Sequence, residues 1–303
     1  MNGHRDPRSG IDAPRLRRAF GRAAERYDAV AALQREVAAR LLEQVDALGD
    51  AAPATVLDLG CGPGRSARAM HERWPKAQVV ALDFALPMLR QIDVSKPWWK
   101  LGQHRLQTIC ADVSALPFAD GSADLMFSSL CLQWVTDLPR ALAGFRRVLR
   151  PGGLLLFSTF GPETLRELRE AFAHAGAGDP ITPFAHIQQI GDALQAAGFR
   201  DPVLHRDRFT LTYPDVRTLM RELRALGAHN ARADRRRSLT GKARMQRVFD
   251  AYEALRCDDV LPSTWEVIYV QAFAPPPGQP ERGDAGEIAR VPVGSIPIRR
   301  RNR

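Results

Sequence analysis

The chain has 303 residues, 45% of them hydrophobic and 25% charged, with a formal net charge of +9 at pH 7. This composition is typical of a soluble globular protein that buries a sizeable core, as one large domain or one domain with additions. No apolar run reaches the ~20 residues that cross a bilayer, and the opening MNGHRDPRSG has no apolar h-region, so membrane insertion and a secretory signal are set aside.

Residues 1–13 are polar, broken by Pro7 and Gly10, and are expected to be disordered. From Pro14 to about Val45 the pattern is helical. Phe20, Ala23, Ala24, Tyr27, Val30 and Ala31 share one apolar stripe, and Leu33, Val37, Leu41, Leu42 and Val45 make a second. A surface helix, a nucleic-acid arm or a lid over a ligand all fit this segment. Strands are then expected at 55–60, 78–83, 105–112, 123–130 and 154–160. Helices are expected at 65–74, from 85, and at 138–150, the last ended by Pro151, Gly152 and Gly153. Such alternation predicts an α/β fold with a mainly parallel, doubly wound sheet. Further helices follow at about 162–175 and 184–197, with Gly198 as a C-cap. A strand near 202–212, helices at 214–227 and 240–256, and a last strand at 264–275 complete the pattern. The Pro/Gly/Arg-rich tail 275–303 is expected to be disordered.

The most informative stretch is VLDLGCGPG (56–64), in which a buried strand delivers Asp58 and then Gly60, Gly62 and Gly64. Glycine permits a tight turn and close approach of backbone to a ligand, and the helix that follows points its first N–H groups at that ligand. A dinucleotide fingerprint would need glycine where Arg65 stands, and no G-K-[ST] of a Walker loop is present. The next strand ends in Asp83, whose carboxylate can accept both hydroxyls of a ribose. The third is followed by Asp112 and Val113. Three acids at the C-terminal ends of three successive strands mark the ligand edge of an open α/β sheet. Taken singly, each favours a reading as a cap or a turn residue; the three together with the glycine loop favour a ligand site.

The spacing D-x-G-x-G-x-G resembles motif I of class I S-adenosylmethionine methyltransferases. That resemblance gives Asp58 the methionine end of the cofactor, and Asp83 the ribose. It gives Asp112 the adenine amino group, with Val113 packed on the ring. The segments AFGRAAERYD, SSLCLQWVTDLPRAL, LRPGGLLLFSTFGPETLRELREAF and LTYPDVRTLMRELRALGAHN together resemble the malonyl-acyl-carrier-protein O-methyltransferases of biotin synthesis, over about residues 14–274. The resemblance implies a Rossmann-like methyltransferase domain (49–274) whose C-terminal strand runs antiparallel, and an N-terminal helical lid (14–48). It implies methyl transfer from S-adenosylmethionine to the free carboxylate of malonyl-acyl-carrier protein. Tyr27 and Phe20 become ligand-facing lid residues, Tyr27 beside the methionine end as the candidate catalytic residue and Phe20 on the substrate side. LQWVTDLPRAL and FGPETLRELREAF also resemble the complex I assembly factor family, and a quinone C-methyltransferase shares the lid and core.

The chemistry fits a sequence with no evident base, because a carboxylate with pKa near 4 is already a nucleophile at pH 7. Alignment and water exclusion are what the protein must supply. Arg22, Arg26, Arg146 and Arg147 are candidates to recognise the substrate carboxylate. Gln133 and Trp134, after the fourth strand, are candidate pocket walls. No metal is implied. Cys61, Cys110, Cys131 and Cys257 stand far apart and read as reduced thiols of a cytoplasmic protein, and His71 and His104 as surface residues. The positive excess is concentrated: residues 5–26 hold seven arginines against three acids, and 232–247 hold seven basic residues against Asp234. It fits either an acidic partner or a solvated basic surface. Acyl carrier protein is acidic, which makes 231–247 the candidate docking surface. Nucleic acid is set aside because interleaved aromatics and DNA-binding motifs are missing. A monomer is expected.

Overall fold

The computed structural model describes residues 10–49, 52–94, 105–178, 181–227 and 241–276, and the backbone of 281–283 and 286–288. His104, residues 231–240 of the expected docking stretch, and most of the segments expected to be disordered lie outside the described residues.

The N-terminal helical region is broken into pieces. Helix α1 (Ala13–Ala23) is capped by Asp12, whose carboxylate accepts from Arg15 N at 3.1 Å, a contact of ~1 kcal/mol. Order thus reaches into the segment expected to be disordered. A 3-10 turn (Ala24–Arg26) links α1 to α2 (Tyr27–Val30), and α3 (Ala32–Glu43) follows. Small Ala23 and Ala24 let the first pieces settle on Ala85 and Met88, with Phe20, Tyr27 and Phe84 around them.

Seven strands then form one sheet in the order β3-β2-β1-β4-β5-β7-β6. They are β1 (Thr55–Leu59), β2 (Gln78–Asp83), β3 (Gln107–Cys110), β4 (Ala123–Ser129), β5 (Leu149–Phe160), β6 (Arg200–Tyr213) and β7 (Leu261–Phe273). The first five pair in parallel, as the strand–helix alternation implied, and β7 runs antiparallel to both β5 and β6, as the family resemblance implied. The chain winds outward from β1 in one direction to β3 and in the other to β5, so the switch point lies between β1 and β4.

Alternation along the strands separates two cores. Val56, Val79, Leu125 and Leu154 face α3 and α4 (Arg65–Arg73). Leu57, Val80, Met126 and Leu155 face α6 (Leu138–Val148) and α8 (Ile187–Ala196). Asp58 shares the face of Val56 and therefore points toward α3. In chain order α5 (Leu86–Leu89) and α7 (Arg166–His174) fall between these helices; α9 (Val216–Ala225) packs on β6 and the lid, and α10 (Lys242–Glu253) on α7, before the chain returns as β7. Gly198, at φ +80°, ends α8 as expected.

The junction of α6 and β5 departs from the sequence expectation. The helix predicted over 138–150 ends at Val148, and Pro151–Gly153 lie inside a strand rather than before it. Leu149 pairs with Ala123, and pairing resumes at Leu154 with Leu125. The four intervening residues form an irregularity that accommodates a proline without an N–H. Gly153 is required there, since a Cβ would sit 2.9 Å from the Arg150 carbonyl oxygen.

Candidate active site

The glycine turn is fastened to its neighbours by backbone. Gly60 N and Cys61 N both donate to the Leu82 carbonyl, at 2.7 and 3.0 Å, and Gly62 N donates to Asp83 Oδ2 at 3.0 Å. All three glycines take the left-handed conformation, with φ of 71°, 54° and 79°. A Cβ on Gly60 would collide with Cys131 Sγ at 2.2 Å, and one on Gly64 with Ile92 Cδ1 at 2.6 Å. A Cβ on Gly62 would meet nothing within 4 Å. Gly60 and Gly64 therefore serve the packing of the turn, while Gly62 presents bare backbone to open space.

That space is a cleft at the C-terminal strand ends, in two connected chambers. The larger, about 850 Å3 with its open mouth included, is lined by Phe20, Asp83, Phe84, Asp112, Val113 and Trp134 among others. The smaller, about 490 Å3 on the same basis, is lined by Gln34, Arg35, Asp58, Pro63 and Arg65. Tyr27, Gly60, Gly62 and Ser129 line both. Tyr27 thus stands where the chambers meet.

The acids are held differently. Asp58 is buried and its Oδ2 has no hydrogen-bond partner; burial, opposed by the Ala67 N–H and reinforced by Asp83, raises its pKa to about 7. Asp83 is raised to about 6 by burial, opposed by the N–H groups of Ala85 and Gly62. Each Asp83 oxygen accepts one backbone bond, which leaves each a further lone pair for a ligand. Asp112 is exposed and accepts from Ser114 N at 2.8 Å, turning the chain so that Val113 faces the cleft. Two buried, under-solvated carboxylates at one site favour a cationic ligand. The Tyr27 phenol is pushed well above its ordinary range by burial and by Asp83, so it is a neutral hydroxyl.

The structure brings Tyr27, Asp58, Gly60, Gly62, Asp83, Asp112, Val113, Phe20 and Trp134 to the two chambers. Gly64 sits behind, at the start of α4. Gln133 does not reach the cleft. It lines a separate small cavity beneath α8, donates from Nε2 to the Leu130 carbonyl at 2.6 Å and accepts from Thr159 Oγ1 at 3.5 Å. Its place is in the support of the turn that carries Trp134. Arg22 and Arg26 are exposed and line neither chamber. Arg147 is occupied with Asp120 and the carbonyls of Leu116 and Phe118. His71, expected at the surface, is half-buried in α4.

Sequence reasoning missed Gln34 and Arg35. The Gln34 Oε1 is buried without a partner, and the Arg35 guanidinium donates to the Asp28 carbonyl just after Tyr27. Both line the smaller chamber together with Asp58. Their one sequence signal is position: they follow Leu33 on the segment whose apolar stripe seats α3 on the Asp58 face of the sheet.

These features fit an α-amino-acid zwitterion beside a nucleoside. Asp58 and Gln34 offer unpaired acceptors for an ammonium, Arg35 offers donors for a carboxylate, and Asp83, Asp112 and Val113 wait in the larger chamber. Among the described residues no group of three or more metal-ligating side chains occurs, and no helix is long and apolar enough to cross a membrane.

Comparison with known proteins agrees with this geometry. A methyltransferase domain family model matches residues 57–157. The chain is 55% identical to the malonyl-[acyl-carrier protein] O-methyltransferase of Xylella fastidiosa, over 96% of this chain and 98% of that one. It is 45% identical to the same-named protein of Halorhodospira halophila, over 96% and 97%. In fold it resembles a Bacillus halodurans protein described as a methyltransferase, with TM-score 0.55 and 18% identity over 78% of this chain and 98% of that one. At TM-score 0.50 and 20% identity it resembles a Haemonchus contortus phosphoethanolamine N-methyltransferase bound to S-adenosylhomocysteine, over 78% of this chain and 52% of that one. The chain belongs to the malonyl-[acyl-carrier protein] O-methyltransferase family.

Proposed function

We propose that the two-chamber cleft binds S-adenosylmethionine and that the chain methylates the free carboxylate of malonyl-acyl-carrier protein, the reaction for which its family is named. The observation that carries the reading is the pairing of the unpartnered Asp58 and Gln34 acceptors with Arg35 in one chamber, next to the Asp83–Asp112 edge. Bound S-adenosylmethionine supplies an electrophilic methyl group on a sulfonium.

Asp58 and the Gln34 carbonyl take the ammonium, and Arg35 takes the carboxylate. Asp83 accepts the ribose hydroxyls, Asp112 the adenine amino group, and Val113 packs on the ring. This leaves the junction at Tyr27 and Ser129 as the place of transfer. No residue needs to remove a proton, since the attacking carboxylate is ionised at neutral pH. Phe20, Trp134 and Leu130 exclude water there, so the attacking oxygen is held in line without competing solvent. The neutral Tyr27 hydroxyl donates a hydrogen bond that orients a carboxylate without neutralising it. Arg22 and Gln133, candidates from the sequence, have no part in this contact.

The partner is acyl carrier protein, as the substrate requires. A cytoplasmic setting, in keeping with the four free thiols, and a monomer belong to the same reading. The complex I assembly factor and quinone methyltransferase readings are not favoured, because relatives 45–55% identical over 88–96% of the chain share the malonyl-acyl-carrier-protein name. The test is incubation of malonyl-acyl-carrier protein with methyl-labelled S-adenosylmethionine, followed by mild base. Label released as methanol supports a carboxyl ester; label that stays on the protein, or no transfer, rejects it.

A further inference from the structure

We propose that the outer face of the lid, together with α9, is the docking surface for the acidic carrier protein. This rests on the function proposed above for the partner's identity; the location comes from the charges and packing of this chain. Residues 231–240 of the basic stretch 231–247 lie outside the described residues, and another cationic surface adjoins the cleft directly.

Helix α1 carries Arg15, Arg18 and Arg22 at spacing i, i+3 and i+7, which places them on one stripe, and Arg26 ends the 3-10 turn that follows. The stripe flanks the buried line of Leu16, Ala19 and Ala23, and Arg18, Arg22 and Arg26 are exposed. Helix α9 presents Arg221 and Arg224, also exposed, one turn apart. The two elements are packed together: α9 touches α2, and Gly227 at its end lies so close to the lid that a Cβ there would sit 3.2 Å from Phe20 Cδ1. Their opposing charges are few. Along Ala13–Val30 the acids are Glu25 and Asp28; on α9 they are Glu222, whose carboxylate already accepts the Tyr213 hydroxyl at 2.9 Å, and the capping Asp215, which accepts from Thr218 N.

The result is a cationic shelf whose underside is the cleft wall. Phe20 projects from the same helix to the opposite side, against Trp134 and Phe84. A carrier whose surface is rich in carboxylates, and whose thioester hangs on a phosphodiester-linked arm, meets complementary charge at the point where that arm has to enter. A free thioester lacks the carrier's acidic surface and gains nothing from the shelf. Docking on the lid also joins carrier binding to the element that covers the methyl-transfer junction.

The test compares the unmodified protein with the triple variant Arg18→Glu, Arg221→Glu, Arg224→Glu and with its Arg→Lys counterpart. Substrates are malonyl-acyl-carrier protein and malonyl-S-N-acetylcysteamine, a thioester without a carrier. The KM for the carrier substrate is expected to rise ~10-fold or more in the Glu variant, and its salt dependence to flatten. S-adenosylhomocysteine affinity by calorimetry and turnover of the small thioester are expected to stay within about twofold, and the Lys variant to stay near the unmodified protein. An unchanged KM for the carrier, or an equal loss on both thioesters, overturns the docking surface while leaving the methyl-transfer reading intact. If the unmodified protein esterifies neither substrate, the function itself fails and the surface falls with it.

Discussion

The ring of Phe20, on the lid, stands edge-on to the ring of Trp134 in the turn after β4, with centroids 5.7 Å apart and planes at 79°. The lid is therefore bound to the sheet through an aromatic contact that also walls the larger chamber. A double-mutant cycle with Phe20→Leu and Trp134→Leu should show a coupling of ~0.5–1.5 kcal/mol in S-adenosylmethionine affinity or in stability. Strict additivity would mean that the two rings act separately.

Asp58 has an unpaired buried oxygen, which costs stability until a cation arrives. Asp58→Asn should raise the melting temperature of the cofactor-free protein at pH 8 and lower S-adenosylmethionine affinity ~10- to 100-fold. Thermal melts and calorimetry on the same samples check both signs. A variant that is less stable and binds normally would remove Asp58 from the site.

The pH dependence follows from the raised carboxyls. Folded, Asp58 and Asp83 hold their protons up to about 7 and about 6; unfolded, both lose them near 4. Across that interval the folded, cofactor-free protein binds more protons than the unfolded chain, so the contribution of these groups to stability falls as pH rises from about 4 to about 7. A cationic ligand favours the ionised forms. Affinity for S-adenosylmethionine should therefore climb with pH over the same range, by ~10-fold between pH 5.5 and pH 8. A flat calorimetric profile would contradict recognition of the ammonium by ionised Asp58 and of the ribose by ionised Asp83.

Arg35 supplies the donors of the smaller chamber. Arg35→Ala should weaken S-adenosylhomocysteine binding ~10-fold or more while 5′-methylthioadenosine, which lacks the amino-acid end, binds as before. Equal loss for both ligands would mean that the Arg35 bond to the Asp28 carbonyl matters only for the lid's shape.

Much of this was legible in the sequence because it is local. The glycine turn, Asp58, Asp83, Asp112 and the strand–helix alternation each declare themselves within a few residues, and the parallel sheet follows from their order. What was illegible depends on which way a helix or turn faces. Arg22 lies two residues beyond Phe20, ~200° around the helix, so a cation near a lid aromatic points to solvent. Gln133 and Trp134 are adjacent in a 3-10 turn, about a third of a turn apart, and so enter different cavities. Gln34 and Arg35 read as ordinary polar helix positions until α3 is laid on the Asp58 face of the sheet. The strand start at Leu149 was hidden by Pro151–Gly153, which spell a turn locally but are carried by pairing on both sides.

The most direct test of the central claim is intact-mass spectrometry of the carrier after incubation with the protein and S-adenosylmethionine. A gain of one methyl is expected on malonyl-acyl-carrier protein and none on acetyl-acyl-carrier protein, which has no free carboxylate. No gain on the malonyl form, with S-adenosylmethionine still binding by calorimetry, would contradict carboxyl methylation while leaving the fold and the cofactor site in place.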